Sequence, residues 1–201
     1  MPLLFEIRFA YALSKLGCDI QNGYKCGTKN SEIKDSDVDF LVTEINGNRW
    51  FVELTSLDES KDVKTKTIVN GNTQSYIEKD LFKHCRRAQS RIFSKVAGDD
   101  FNNPEPTKFL EPKENEYNII IIDMRGFSMG GIGLDVYDYR EIVEGNKYPK
   151  NIVLPPEVNP LKGIFDSSHP DLRAKYLQKR IHGVGFIRES HYADGELQNN
   201  T

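Results

Sequence analysis

Residues Asp37 to Ser56 read DVDFLVTEINGNRWFVELTS, and how they pair decides the fold. Apolar and polar residues alternate through Val38, Phe40 and Val42, and again through Trp50, Val52 and Leu54, with Asn46-Gly47-Asn48 between the two runs. Asn and Gly tolerate the positive φ of a tight turn, so the runs are expected to form a β-hairpin. A three-residue loop of Asn46, Gly47 and Asn48 sets Ile45 opposite Arg49, Leu41 opposite Glu53 and Asp39 opposite Thr55. A two-residue Asn46-Gly47 loop would slip the register by one and send Glu53 to the other face. The three-residue loop is adopted because it gathers Val38, Phe40, Val42, Trp50, Val52 and Leu54 into one apolar layer. Asp37, Asp39, Glu53 and Thr55 then share the opposite face. Two carboxylates held close repel each other unless a cation or a shared proton relieves them. A divalent metal ion meets that need, since carboxylate oxygens are the preferred ligands of Mg²⁺.

The chain around this hairpin has 201 residues, 38 % of them hydrophobic, which suffices for one core of ordinary size. A single domain over 1–201 is expected, with a core over 4–124, a C-terminal elaboration over 125–193 and a frayed polar tail over 194–201. The net charge of −3 and a pI near 5.9 exclude a globally basic nucleic-acid binder, though not a locally basic face. Cys18, Cys26 and Cys85 are odd in number and lack CxxC spacing, so neither a disulfide framework nor a zinc knuckle is indicated. The first residues, Met1-Pro2-Leu3-Leu4-Phe5-Glu6, lack a basic leader, and no apolar run reaches the ~18 residues of a membrane span. The expected setting is therefore cytoplasmic, without a membrane partner.

Upstream of the hairpin, Leu4 to Leu16 read as a helix stopped by Gly17, with Phe5, Phe9, Ala12, Leu13 and Leu16 as its apolar stripe. Glu6 sits at the edge of that stripe, either pointing to the core margin or complementing the helix dipole. Asp19 to Ser36 reads as a connector with a short strand around Ile20 to Lys25, and Leu57 to Asn72 as a loop or flap ending in an Asn70-Gly71-Asn72 turn.

Downstream, Thr73 to Val96 carries a helical repeat through Ile77, Leu81, Cys85, Ala88, Ile92 and Val96, with Gly98 as its stop. Its other faces are basic: Lys79, Lys83, Arg86, Arg87, Arg91 and Lys95 stand against Asp80 alone. Such a run is either a solvated face or the footprint of a polyanion. Asp99 to Glu116 is a Pro-containing loop. Tyr117 to Met124, YNIIIIDM, reads as a strand buried on both faces. Gly126 to Gly133 is Gly-rich without P-loop spacing and is read as a loop. A helix over Asp135 to Gly145, a short strand over Asn151 to Leu154, a helix from Asp171 to about Arg180 and an edge strand over Val184 to Ile187 complete the order. The expected architecture is an α/β domain with a central mixed β-sheet flanked by helices.

A helix bearing Glu6, a strand bearing Asp39, a strand bearing Glu53 with Thr55 two residues on, and a basic helix after it follow one another in the order that resembles the PD-(D/E)xK, restriction-endonuclease-like nuclease superfamily. The resemblance covers roughly Leu4 to Met124. It implies a metal-dependent endonuclease in which Asp39 and Glu53 hold Mg²⁺ or Mn²⁺ and Glu6 supports the ion. The family commonly places a Lys two residues after the Glu, to orient the attacking water and stabilise charge; here that position is Thr55. Some members carry the Lys or a Gln on the following helix, which nominates Lys83 and Gln89, and Gln89 is preferred because it lies nearer the apolar stripe. The very-short-patch-repair branch has Thr at the Lys position, its backbone carbonyl helping to bind metal, and Thr55 could act likewise. The resemblance also implies a nucleic-acid partner, DNA before RNA, gripped by Lys79, Lys83, Arg86, Arg87 and Arg91, and allows a homodimer. The alternative is a nuclease-like module without activity that binds nucleic acid or a protein.

Overall fold

The structure is a computed structural model that describes residues 2–26, 33, 37–57, 68–70, 73–75, 82–124, 136–146 and 160–187. The first helix, α1 (Pro2–Lys15), leads into β1 (Asp19–Lys25), β2 (Asp37–Thr43) and β3 (Arg49–Ser56), which form an antiparallel meander. A small hairpin of β4 (Ile68–Asn70) and β5 (Thr73–Ser75) follows. Helix α2 (Lys83–Ala97) then crosses to β6 (Glu116–Asp123), which lies parallel to β3. After α3 (Val136–Glu144) and α4 (Ala174–Arg180), β7 (Gly183–Ile187) adds parallel to β6. The five-stranded sheet runs β1-β2-β3-β6-β7, mixed as expected, with β3 and β6 at its centre.

Alternation along the strands distributes the core over two layers. Phe40, Val42, Val52, Leu54, Ile119 and Ile121 face α1 and pack on its Phe5, Phe9 and Leu13. Leu41, Phe51, Ile120 and Ile122 face the other way, onto Cys85, Ile92, Ile142 and Leu177 of α2, α3 and α4. Each fully buried aliphatic or aromatic side chain contributes about 1.5–3 kcal/mol, so this two-sided burial of β6 is a main source of cohesion. The expected core strand and edge strand are both found, and the residues beyond Met124 complete the sheet and one of its two faces.

The hairpin register differs from expectation by two residues. Phe40 pairs with Val52 and Thr43 with Arg49, and Glu44 and Asn48 close a loop of Ile45, Asn46 and Gly47. The reason is the third loop position, which takes a positive φ in this hairpin type. Gly47 occupies it at φ +86, and Asn48 returns to the strand. Ile45, expected in the strand, stands 90 % exposed in the loop. A shift of two preserves the faces, so Phe40, Val42, Trp50, Val52 and Leu54 stay in one layer, while Val38, expected with them, packs in the other cluster with Leu41 and Phe51; Asp39 comes level with Glu53 where Thr55 was expected.

Two further expectations are corrected. Leu16 is 73 % exposed, because the chain turns out of α1 at Gly17, φ +79, before Leu16 can reach the sheet. Of the helix expected over Thr73 to Val96, Lys83–Ala97 is helical, Thr73 to Ser75 instead pair with Ile68 to Asn70 as a hairpin, and residues 76–81, with Ile77 and Leu81, lie outside the described residues. The short strand expected around Ile20 to Lys25 is found as β1, Asp19–Lys25, an edge strand on β2. Lys79, the Gly126 to Gly133 loop, the Asn151 to Leu154 strand and the tail lie outside the described residues. Among the described residues, no helix is long and apolar enough to cross a membrane.

Candidate functional site

Asp39 and Glu53 meet where β2 and β3 diverge. Backbone pairing ends at Phe40 and Val52, and the next amide, Leu54 N, donates instead to Asp39 Oδ2 at 2.6 Å. A carboxylate thus replaces a carbonyl in the ladder and is held beside Glu53. Glu53 itself is 0 % exposed, sunk into the face covered by α2.

Two lysines reach that carboxylate. Lys95 Nζ, from the last turn of α2, and Lys108 Nζ each donate to Glu53 Oε1 at 2.6 Å. Lys108 comes from the loop after α2, which is fastened around it. Thr107 N donates to Val96 O at 2.9 Å, Phe109 is fully buried, and Asn118 Nδ2 donates to Leu110 O at 2.8 Å. The second oxygen, Glu53 Oε2, is buried with no hydrogen-bond partner among the described residues. Burial first, and the Asp39 charge second, push the Glu53 carboxyl above the usual carboxylate range, while Lys95 and Lys108 pull it back. An unpaired buried carboxylate oxygen beside a second carboxylate, with hard oxygen donors only, fits a small divalent cation.

Thr55 lies on the same face and is nearly buried, and its Oγ1 accepts from Arg91 Nε at 3.1 Å. Its hydroxyl therefore fixes an α2 guanidinium next to the carboxylate pair. Gln89 is not brought to the site. Its Nε2 donates to Ile142 O at 3.0 Å and Lys162 O at 2.6 Å, bridging α2 to α3 and to the loop before α4. Glu6 projects from α1, which covers the opposite face of the sheet, and lines a shallow groove with Ile7, Tyr11, Asn22 and Phe40. The groups acting on Glu53 are Asp39, Lys95 and Lys108, without Glu6.

The exchange of Gln89 for Lys95 has a geometric cause. At about 100° per residue, Gln89 and Lys95 flank the Cys85-Ala88-Ile92-Val96 stripe by about 60° on opposite sides. Phe93 and Ala97 are also buried, which widens the covered arc on the Gln89 side and puts Gln89 inside it. Lys95 is left on the margin that faces the open end of the sheet. The apolar character of Phe93 and Ala97 was the available signal; for Lys108 there was none, since its position depends on the loop closing over β3.

On the remaining faces of α2, Arg87 and Arg91 are exposed, and the Arg86 guanidinium lies over the Phe82 ring, 5.7 Å from its centroid. Asp123 ends β6 level with Ser56, nearly buried at the same end of the sheet. Elsewhere, Cys85 of α2 with Asp138 and Glu141 of α3 form a group whose ligand atoms lie within 4.8 Å of one another and could hold a metal ion. Burial and these two acids push the Cys85 thiol up to about 12, so without a cation the sulfur keeps its proton. Compared with known proteins, the chain matches no family model, no curated protein and no solved structure.

Proposed function

We propose that the protein is a metal-dependent nuclease that hydrolyses phosphodiester bonds, with DNA as the expected substrate and RNA as the other that its chemistry admits. The observation that carries the reading is Glu53: a fully buried carboxylate, level with Asp39, neutralised on Oε1 by two lysines and, among the described residues, unpaired on Oε2. The order of the meander, α2 and the parallel β6 also supports the resemblance drawn from the sequence.

Asp39 and Glu53 would hold Mg²⁺ or Mn²⁺, which when bound neutralises developing charge and lowers the pKa of its water. The chain's own residues prepare that site. The Leu54 amide fixes Asp39 in one orientation, and the two ammonium groups keep Glu53 Oε1 anionic despite its burial. Lys95 takes the part that the family resemblance gives to the Lys after the Glu: it brings positive charge to the carboxylate pair from α2 and leaves Thr55 free to anchor Arg91. Arg87 and Arg91 supply positive charge for the substrate backbone, a contact independent of sequence and weakened by salt. A second reading, a nuclease-like binding module without activity, is favoured by one feature: with two lysines on Glu53, the buried charge is already compensated without a cation.

Calorimetric titration of Mg²⁺ and Mn²⁺ into the wild type, Asp39→Asn and Glu53→Gln, followed by incubation with plasmid and single-stranded nucleic acid, separates these readings. The nuclease reading expects saturable binding that either substitution removes, and cleavage only with metal. Because Glu53 stands above the usual carboxylate range, binding should tighten and release protons as pH rises through its pKa. Absence of metal binding in the wild type would leave the binding module.

A further inference from the structure

Two cavities share Ser90 of α2, and one of them reaches Ser56 of β3, three residues on from Glu53. The first is a polar notch of about 420 Å³ lined by Ser56, Arg87, Ser90, Arg91 and Ser94. Four of these stand at i, i+3, i+4 and i+7, which makes one stripe on the helix. Arg91 is oriented by Thr55 through its Nε, and Arg87 is exposed with no partner among the described residues. Asp99 also lines the notch, so two guanidinium groups face one carboxylate and the balance is positive. Planar guanidinium donors with hydroxyls between them suit a phosphate.

The second is a groove of about 620 Å³ on the far side of Ser90, which lines both. Its apolar walls come from Phe93, Phe101 and Leu161, with Lys162 and His169 among its polar groups. This is the size of a small-molecule site. Phe101 is 57 % exposed, and its ring is backed by the buried Arg173 guanidinium 4.0 Å from the centroid. Arg173 is in turn fixed by Asp171 at 2.7 Å, so the aromatic wall is held in place. His169 Nδ1 accepts from Asp171 N, so a neutral imidazole carries its proton on Nε2 as a donor; burial keeps that ring below its usual pKa.

We infer that notch and groove together form a subsite for one unstacked nucleotide of a single strand, its phosphate between Arg87 and Arg91 and its base against Phe101. The inference rests on the nuclease reading for its position, since Thr55, which accepts from Arg91 Nε, stands two residues from Glu53 along β3, about 6.6 Å between their Cα atoms. A paired and stacked base cannot enter such a groove, whereas a splayed base can stack on an aromatic ring there. The substrate class is thus single-stranded nucleic acid, or a single-stranded segment within a duplex.

Fluorescence anisotropy with a labelled 12-nucleotide oligothymidylate and a hairpin duplex of matching length, both in EDTA, tests this without the metal site. The single strand should bind about tenfold tighter than the duplex. Phe101→Ala should weaken the single strand at least fivefold, in line with base–aromatic stacking, and leave the duplex unchanged. Phe101→Trp, which keeps a ring over Arg173, should restore it. Arg87→Ala should weaken both probes about tenfold while Lys113→Ala, an equal charge loss at the other end of the sheet, has little effect, and Asp99→Asn should tighten both. Equal binding of the two probes, equal loss of both on Phe101→Ala, or Arg87→Ala no worse than Lys113→Ala would overturn the subsite. Metal titration of the same samples reports separately on Asp39 and Glu53, so either idea can fail alone.

Discussion

Replacing both Lys95 and Lys108 by Met keeps the length of each stem but strips Glu53 of its only hydrogen-bonding partners among the described residues. The carboxylate is 0 % exposed, and the two amines are only 19 % and 25 % exposed, so water cannot replace them without local opening. Losing one charged hydrogen bond to a buried group costs about 1.5–3 kcal/mol. Losing both leaves an uncompensated buried charge beside Asp39, for which about 3–5 kcal/mol is the general range. At about 2–4 °C per kcal/mol for a chain of this size, the melting temperature should fall by about 10 °C at pH 8. The deficit should shrink with acid. A carboxyl raised above its ordinary value of 4.5 contributes stability that is full below that value and lost as pH rises through the folded one. Without the lysines the folded pKa climbs further, so wild type and double variant converge as pH falls towards 4.5. Thermal and urea unfolding at pH 5 and pH 8, with the triple variant that adds Glu53→Gln, check the reasoning. The triple variant should regain most of the loss at pH 8. A deficit equal at both pH values, or no rescue by Gln, would refute the reading of Glu53 as a buried anion held by these amines.

Three other outcomes concern buried polar and sulfur groups. Gln89→Leu should cost about 1–3 kcal/mol in urea unfolding, because the Ile142 and Lys162 carbonyls lose a donor, while metal titration stays as in the wild type. Burial pushes the Cys26 thiol up to about 11 and the Cys85 thiol up to about 12, so at pH 8 both should resist a disulfide reagent that labels them readily in denaturant. Added Cd²⁺ that produced thiolate-to-metal absorption lost in Cys85→Ser would show the Cys85, Asp138 and Glu141 group to be occupied.

Much of this protein was legible in the chain. Alternation in β2 and β3 set which residues face which layer for all but Val38, and because a register error of two conserves faces, Asp39 and Glu53 shared a face even with the wrong partner assigned. The apolar run of β6 announced a strand covered on both sides, and the α2 repeat announced its buried stripe. What the sequence could not settle was every choice between locally equivalent options. Gly47 or Asn48 could take the loop's positive φ; Gln89 or Lys95 could be the margin turned to the sheet; Thr73 to Ser75 could prolong a helix or pair as a strand. Local spacing weighs such pairs equally, since their difference lies in contacts made far along the chain: α3 and the loop before α4 closing over Gln89, and Lys108 brought back over β3 by Thr107 and Phe109. The two acids and their strands were determined by the sequence; the cations that make their burial tolerable were chosen only when the helices rolled onto the sheet, because burial of apolar surface, summed over the whole fold, fixes that roll.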